Sequence, residues 1–297
     1  MPKPLPIQFV AADLDALAAR TGRIAVLAEP GLPPGPAFRR LDRLAKGALS
    51  RAAGSEAFAK LKPGEAMELG WPAGLQAQAV QLVRLPRRAD LVQARKAGAA
   101  IARAHGAAAT LVLAEAHPRA ADIAFGLAMR AYDFNTHKTG EKTAPGPVHV
   151  AVANPESVAA AAAPMAAVAE GVFFTRDLVN EPANVLTTTD FAARLAAMQD
   201  LGLTVEILDE PELIKLGMGA LIGVGQGSES PSKVVVMQWN GGPKDQPHLA
   251  LIGKGVVFDT GGISIKPAAG MEDMTGDMGG AGVVSGVMRT LALRKAR

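Results

Sequence analysis

The sequence predicts an α/β protein of two domains, each with a mixed or largely parallel sheet flanked by helices. Apolar runs of strand length alternate with segments of helical periodicity, the pattern of strand-helix-strand units. The chain has 297 residues, 49% of them hydrophobic, which is enough for two cores. Near the C-terminus an apolar run, 249–252, leads directly into glycines and charged residues, as at the carboxyl edge of a parallel strand.

Individual elements follow from residue type and spacing. Strands are expected where aliphatic residues run together or alternate, and helices where apolar residues recur every three or four positions. The expected strands are 23–28, 78–85, 110–114, 148–153, 205–208, 219–224, 233–239 and 249–252. The expected helices are 38–52, 90–105, 120–132, 191–199, 210–215 and 278–293.

A domain boundary is expected at Asn154-Pro155-Glu156, because Asn154 is a candidate N-cap and proline suits the first helical turn. We therefore predict an N-terminal α/β domain over 1–153 and a linker helix over 154–182. Residues 183–297 form the N-terminal part of a second, incomplete domain. Residues 187–190 supply the cap of its first helix.

Composition excludes several classes of protein. The net charge of +3 comes from 31 basic and 28 acidic residues, a small excess that does not predict nucleic-acid binding. Zero cysteines exclude a disulfide framework and agree with a reducing compartment. Residues 1–6 lack the apolar core of a signal peptide, and the alanine-rich run 158–169 is too short for a membrane span and contains Pro164. We expect a cytoplasmic protein with no membrane or nucleic-acid partner.

Basic side chains also cluster in and just before the helix expected over 90–105. Few aromatic residues accompany them, so they are interpreted as a solvated helix face. They are Arg87, Arg88, Arg95, Lys96 and Arg103.

Four charged residues lie in glycine-rich, apolar sequence and carry most of the functional argument: Lys254, Asp259, Lys266 and Asp277. Charged groups in such surroundings need partners. Carboxylates suit hard or borderline divalent cations, and an amine can join them only as the neutral base. Two aspartates and one lysine thus form a partial metal shell, and Lys266 is the candidate to stabilise an oxyanion. The alternative is that all four are solvated turn residues. The five histidines lack ligand spacing and are interpreted as ordinary surface or core residues.

The segment GKGVVFDTGGISIKP, 253–267, with MEDMTGDMGGAG, 271–282, closely resembles the signature region of the leucyl (cytosol) aminopeptidases. The run RDLVNEPAN, 176–184, resembles the segment that opens their catalytic domain, and YDFNTHK, 132–138, is a weaker match. The glycines of 223–228 look faintly like a phosphate cradle, but they lack the dinucleotide-binding spacing. The aminopeptidases have a similar stretch as a structural loop.

The resemblance implies an enzyme that releases N-terminal residues, leucine-like ones preferred, from peptides with two divalent metal ions. Lys254 and Asp277 would bind the tighter metal, and Asp259 would bridge both metals. Lys266 would polarise the scissile carbonyl, and Met274 would line the pocket for the first side chain. Manganese or zinc is expected, and magnesium also fits. The resemblance further implies peptide substrates and a homohexamer of the full-length protein.

The chain departs from the family in one respect. Family members carry a later motif, Asn-Thr-Asp-Ala-Glu-Gly-Arg, that completes the second metal site. The 297-residue sequence ends at Arg297, before the position of that motif. We therefore expect an incomplete active site and negligible turnover from the 297-residue chain. The alternative function is an inactive homologue that acts as a structural or assembly subunit. Metal content and peptidase activity discriminate between the two.

Overall fold

A computed structural model describes residues 4–243 and 245–297. Residues 1–3, at the start of the segment in which no signal peptide is expected, lie outside the described residues. The chain divides into two compact units, the N-terminal unit, Pro4–Ala169, and the C-terminal unit, which contains Glu170–Arg297. The fold class is confirmed: the protein is α/β, with a parallel-dominated sheet flanked by helices. The predicted domain limits of 153 and 182 stay a prediction.

The N-terminal unit contains a six-stranded sheet in the order β1-β6-β5-β2-β4-β3. Its strands are β1 (Ile7–Ala11), β2 (Arg23–Ala28), β3 (Ala66–Gly70), β4 (Ala79–Arg84), β5 (Thr110–Glu115) and β6 (Val148–Val152). Its helices are α1 (Pro36–Leu44), α2 (Ala48–Ala53), α3 (Glu56–Lys60), α4 (Leu91–Ala104) and α5 (Ala120–Arg130). All strand pairs are parallel except β3 with β4.

Both faces of this sheet are buried, which explains the continuous apolar runs of its central strands. In β5, Leu111 and Leu113 point to one face, in a core that also contains Phe38 and Phe58 from the helices α1 to α3. Val112 and Ala114 point to the other face, where the core is closed by α4 and α5. Period-two alternation thus sends successive side chains of one strand into two separate cores.

The C-terminal unit is mainly helical around a small sheet. Helix α6 (Pro155–Asn180) crosses the boundary between the units. The remaining elements are α7 (Thr188–Ala196), a 3-10 helix (Ala197–Leu201), β7 (Thr204–Leu208), α8 (Glu210–Lys215), α9 (Gly219–Gly225), β8 (Val234–Gln238), a second 3-10 helix (Met271–Met278) and α10 (Gly279–Leu293). Strands β7 and β8 pair antiparallel.

Helix α10 packs closely against the C-terminal half of α6. A Cβ added to Gly171 would lie 2.4 Å from the carbonyl oxygen of Gly286, so the two backbones are in contact. The Thr175 hydroxyl donates to the carbonyl of Gly282 over 2.9 Å, and Arg289 forms an ion pair with Glu170 at 3.0 Å. These contacts fix the helix that follows the charged segment.

The predicted start of α6 is confirmed, since Asn154 Oδ1 accepts from the Ser157 N–H over 3.1 Å. Thr187 likewise caps α7 by accepting from the Asp190 N–H. Within the described residues, α6 is the one helix long and apolar enough to cross a membrane. Phe174 and Leu178, on its C-terminal half, are buried in the core of the C-terminal unit. The alanine-rich run 158–169 lies within this helix, as predicted, and the expectation that it does not span a membrane stays a prediction.

Some predicted elements are wrong in type or extent. The single helix predicted over 38–52 is broken between α1 and α2, where Lys46 and Gly47 adopt positive φ angles of 51° and 78°. The helix predicted over 191–199 is α7, which ends at Ala196 and continues as a 3-10 turn.

Two predicted strands of the second domain are not formed. Residues 219–224 belong to helix α9, because this short apolar run closes its own hydrogen bonds, as in Ile222 N–H to Met218 C=O. Residues 249–252 form no strand, and Leu249 and Ile252 are 86% and 95% exposed. The parallel sheet predicted for this domain is therefore not formed by the described residues of the C-terminal unit, whose strands are the antiparallel pair β7 and β8.

Candidate metal centre

The charged segment is anchored to the N-terminus of α10. The Ala281 N–H donates to the Lys254 carbonyl over 2.9 Å. Just before Lys254, a Cβ on Gly253 would lie 2.5 Å from backbone atoms of Gly280 and Ala281. Only a residue without a Cβ allows this approach. The backbone of residue 254 is thus held close to Asp277, at the end of the preceding 3-10 helix.

Lys254 and Asp277 form the first of two lysine–aspartate pairs. Lys254 Nζ donates to Asp277 Oδ1 over 2.6 Å. The Asp277 side chain is 19% exposed, and its Oδ2 is buried without a hydrogen-bond partner among the described residues. An ionised carboxylate oxygen in that position is costly unless a cation or donor satisfies it. Asp277 therefore has one oxygen free to bind a metal ion.

Asp259 and Lys266 form the second pair, at 2.8 Å between Oδ2 and Nζ. The other oxygen of Asp259 accepts from the Gly261 N–H over 2.8 Å. The loop between them closes through the Lys266 N–H, which donates to the Thr260 carbonyl over 2.8 Å. Gly261 has φ of 90°, and a Cβ there would lie 2.3 Å from the Ser264 carbonyl oxygen, so the loop requires glycine.

The two pairs share one electrostatic environment. The Lys266 ammonium that donates to Asp259 lowers the pKa of this carboxyl, and the Gly261 N–H and the positive charges of Lys266 and Lys254 act in the same direction against a smaller effect of burial. Asp259 is thus ionised at neutral pH. Lys266 also contacts Met274, with 3.1 Å between Nζ and Sδ. The structure places Lys254 beside Asp277, and Lys266 beside both Asp259 and Met274.

The donor set fits a divalent cation with one condition. Two carboxylates suit manganese, magnesium or zinc, and a cation would satisfy the buried Asp277 oxygen. Among the described residues no three His, Cys, Asp or Glu side chains converge as a metal site. A site with three side-chain ligands from this segment would therefore include the Lys254 amine. Lys254 would have to lose the proton with which it now binds Asp277, as a neighbouring metal charge favours.

A comparison with protein families identifies this segment. Residues 173–297 match the model described as the catalytic domain of the cytosol aminopeptidase family. This part of the chain is therefore similar to that family's catalytic domain. The cytosol aminopeptidase match includes both lysine–aspartate pairs and α10, and it begins within α6.

Relatives extend the similarity over the whole chain. A probable cytosol aminopeptidase of Cereibacter sphaeroides is 70% identical over 297 residues, which are 100% of this chain and 61% of the relative. A probable cytosol aminopeptidase of Caulobacter vibrioides is 44% identical, over 98% of this chain and 61% of the relative. The chain thus spans about three fifths of the length of these relatives.

Solved structures are also similar to this chain in fold. The bottromycin maturation enzyme BotP in complex with Mn has a TM-score of 0.69 and 30% identity, over 91% of this chain and 56% of that one. A mutant of tomato leucine aminopeptidase has a TM-score of 0.76 over 99% of this chain and 61% of its own. Its 24% identity supports the fold alone.

Sequence reasoning found the charged side chains but missed the backbone groups that position them. The Gly253 approach to α10 and the Gly261 N–H that binds Asp259 were not predicted. The available signal was the glycines close to Lys254 and Asp259, at 253, 255, 261 and 262. The sequence could indicate close backbone approach at these positions, but it could not indicate to which part of the chain.

Proposed function

We propose that this chain carries part of the active site of a metal-dependent aminopeptidase, which releases N-terminal amino acids, leucine-like ones preferred, from peptides. The observation that carries the proposal is the buried, unpartnered Oδ2 of Asp277 beside Lys254, within a segment that matches the cytosol aminopeptidase catalytic domain. The similarity to a structure described in complex with Mn supports a divalent cation as cofactor. The relatives' name supports a cytoplasmic location.

Each side chain has a proposed role. Lys254 and Asp277 would hold one metal ion, and Asp259 would help to hold this ion and a second one. When bound, two such ions lower the pKa of a shared water molecule and polarise the scissile carbonyl. Lys266 lies next to Asp259 and supplies positive charge to the oxyanion that develops on the attacked carbonyl. Met274, in contact with Lys266, forms the wall next to the first side chain of the substrate.

The lysine–aspartate pairs have a second role in this proposal. Without a metal, each carboxylate keeps an ammonium partner that balances its charge. To hold an ion, Lys254 would have to release a proton to solvent, and Asp277 Oδ1, which now accepts from Lys254, would then also be available to the ion. We also propose that the full-length protein forms a homohexamer and acts on peptide substrates, as the resemblance to the family implies.

The test is hydrolysis of leucine p-nitroanilide by the full gene product. The protein is stripped with a chelator and assayed after addition of Mn²⁺, Zn²⁺ or Mg²⁺. We expect activity to disappear on chelation and to return with at least one ion. Activity that persists without metal, or no activity with any of the three ions, would refute the proposal. Metal binding without hydrolysis would instead favour the inactive assembly subunit.

A further inference from the structure

Helix α10 begins with a segment that has little helical stability of its own. Its first four residues are Gly279, Gly280, Ala281 and Gly282, and glycine is, after proline, the residue least favourable to a helix. Met278, which precedes the helix, forms no side-chain cap. The first turn of α10 therefore depends on contacts from outside the helix.

Two hydrogen bonds from other parts of the chain stabilise this first turn. Ala281 is one of the first four residues, whose N–H groups have no partner within a helix, and its N–H donates to the Lys254 carbonyl over 2.9 Å. The Thr175 hydroxyl, from α6, donates to the Gly282 carbonyl over 2.9 Å. One bond thus comes from the charged segment and the other from α6, and they meet adjacent residues of α10.

Thr175 is enclosed where α6 and α10 cross. A Cβ added to Gly286 would overlap the Thr175 hydroxyl, so this side chain lies where α10 presents only backbone. The hydroxyl has a second acceptor within reach, the Gly171 carbonyl of its own helix at 3.1 Å, and the bond to Gly282 is the shorter one. The hydroxyl therefore bonds directly across the contact between the two backbones.

We propose that Thr175 is a positioning residue for the candidate metal centre, an inference that rests on the proposed function. Its hydroxyl fixes the first turn of α10 and, with it, the two groups that this turn places. Asp277 lies two residues before the helix, and the Lys254 backbone is bound to the turn through Ala281. Ligands must be held within about 0.5 Å of their working geometry, so a small shift of the turn weakens metal binding without removing a ligand.

The alternative is that Thr175 only fills space between the two helices. Thr290 provides the comparison, because it lies in the same crossing, about 12 Å farther along α10 than Gly282. A Cβ added to Gly171 would overlap the Thr290 hydroxyl, which donates to the Gly286 carbonyl of its own helix over 2.8 Å. Thr290 therefore shares the close packing of Thr175 at a distance from the first turn.

The test compares serine with alanine at these two positions. Both substitutions remove the threonine methyl group, and they differ from each other only in the hydroxyl. Mn²⁺ is titrated calorimetrically into each chelator-treated chain, under conditions in which urea denaturation shows every variant to be folded. We expect Thr175→Ala to bind Mn²⁺ at least about fivefold more weakly than Thr175→Ser, and Thr290→Ala to differ from Thr290→Ser by less than about twofold.

Amide hydrogen exchange of the metal-free chain gives a readout that does not need the ion. The Ala281 N–H reports the contact between α10 and the charged segment, since its acceptor is the Lys254 carbonyl. It should exchange at least about threefold faster in Thr175→Ala than in Thr175→Ser, and at equal rates in the two Thr290 variants. General loosening of the helix crossing would instead raise the rate at both positions.

The results separate this inference from the proposed function. If the chain binds Mn²⁺ and Thr175→Ala binds it as tightly as Thr175→Ser, the inference is overturned and the proposed function is not. Equal losses of affinity at positions 175 and 290 would also overturn it, because they would assign both threonines to packing alone. If the unsubstituted chain binds no Mn²⁺, the proposed function and the inference fail together.

Discussion

Replacing Gly253 by alanine tests how the backbone positions the candidate metal centre. The added Cβ would lie 2.5 Å from backbone atoms of Gly280 and Ala281, about 1 Å closer than an ordinary carbon contact. These are main-chain atoms at the start of α10, so no side-chain rotation relieves the overlap. The segment must move away from the helix, and the hydrogen bond from Ala281 N–H to the Lys254 carbonyl must lengthen.

The expected cost follows from these two effects. Overpacking of a closely packed contact costs about 1–3 kcal/mol. Loss of one backbone hydrogen bond adds about 1 kcal/mol. We therefore expect Gly253→Ala to lower the free energy of unfolding of the C-terminal unit by about 3 kcal/mol. It should also weaken metal binding, because the Lys254 backbone shifts relative to Asp277.

Urea denaturation followed by tryptophan fluorescence measures this change. Trp239 reports on the C-terminal unit, since its Nε1 donates to the Ala296 carbonyl over 2.7 Å. Trp71, 76% exposed in the N-terminal unit, is replaced by phenylalanine in all samples to isolate that signal. The matched control is Gly255→Ala, whose Cβ would meet only the Cβ of Ala281, at 3.5 Å. The control should change stability by less than about 0.5 kcal/mol, and equal effects of the two substitutions would refute the close-approach argument.

Three further predictions concern the site and the N-terminal unit. In the full gene product, Lys266→Ala should lower turnover of leucine p-nitroanilide about 100-fold or more with metal content unchanged, because it removes the charge that stabilises the oxyanion; loss of metal along with activity would make Lys266 a ligand. Burial, helped by two neighbouring arginines, lowers the pKa of His117 below 6.5 despite its hydrogen bond to a backbone carbonyl. Neutral His117 therefore stabilises the fold above that pH, and this contribution is lost as the pH falls through its folded pKa. Thermal melts between about pH 8 and pH 5, on both sides of the ordinary histidine pKa of about 6.5, measure the change. The fall in melting temperature towards acid pH should be smaller in His117→Gln than in the unsubstituted chain, and unchanged in the exposed control His248→Gln. Gly98→Ala should destabilise the N-terminal unit by about 2 kcal/mol or more in urea denaturation because its Cβ meets the backbone of α5, whereas Gly106→Ala, with open space at its Cβ, should not; similar midpoints would contradict that packing.

The N-terminal unit could largely be predicted from sequence because its elements signal themselves locally. Strand β2 occupies 23–28 as predicted, and α4 begins after Asp90, whose side chain and that of Gln93 form a reciprocal capping box. By contrast, β3 is missing from the prediction. Its sequence, AMELG, is short and alternates between apolar and polar residues only weakly, so it gives little sign of a strand. Its position depends on antiparallel pairing with β4. Such pairing is a tertiary effect that a local pattern does not contain.

The C-terminal unit shows where periodicity alone is insufficient. The runs at 219–224 and 249–252 are both short and apolar, a pattern that fits a buried strand or one or two turns of helix. A strand needs hydrogen-bond partners on a neighbouring strand. Residues 219–224 find those partners within a helix instead, and 249–252 have none in a sheet within the described chain.

The sequence indicates which residues could form the candidate site but not how they are arranged. Resemblance identified Lys254, Asp259, Lys266, Asp277 and Met274 because their spacing matches a family signature. Lys254 meets Asp277 where the chain at Gly253 contacts α10. The pairing of Lys266 with Asp259, and the contact between Lys266 and Met274, belong to the loop closed at Gly261. That loop requires a positive φ, which glycine permits but does not dictate.

Metal binding by the chain itself tests most directly whether this segment is a metal centre. Isothermal titration of the chelator-treated chain with Mn²⁺ or Zn²⁺, with elemental analysis after gel filtration, gives the stoichiometry. Lys254, Asp259 and Asp277 supply three donors, so we expect one tightly bound ion per chain, lost in Asp277→Ala and retained in Asp273→Ala, an exposed aspartate on the same 3-10 helix. No binding of either ion, or binding that survives Asp277→Ala unchanged, would contradict the assignment.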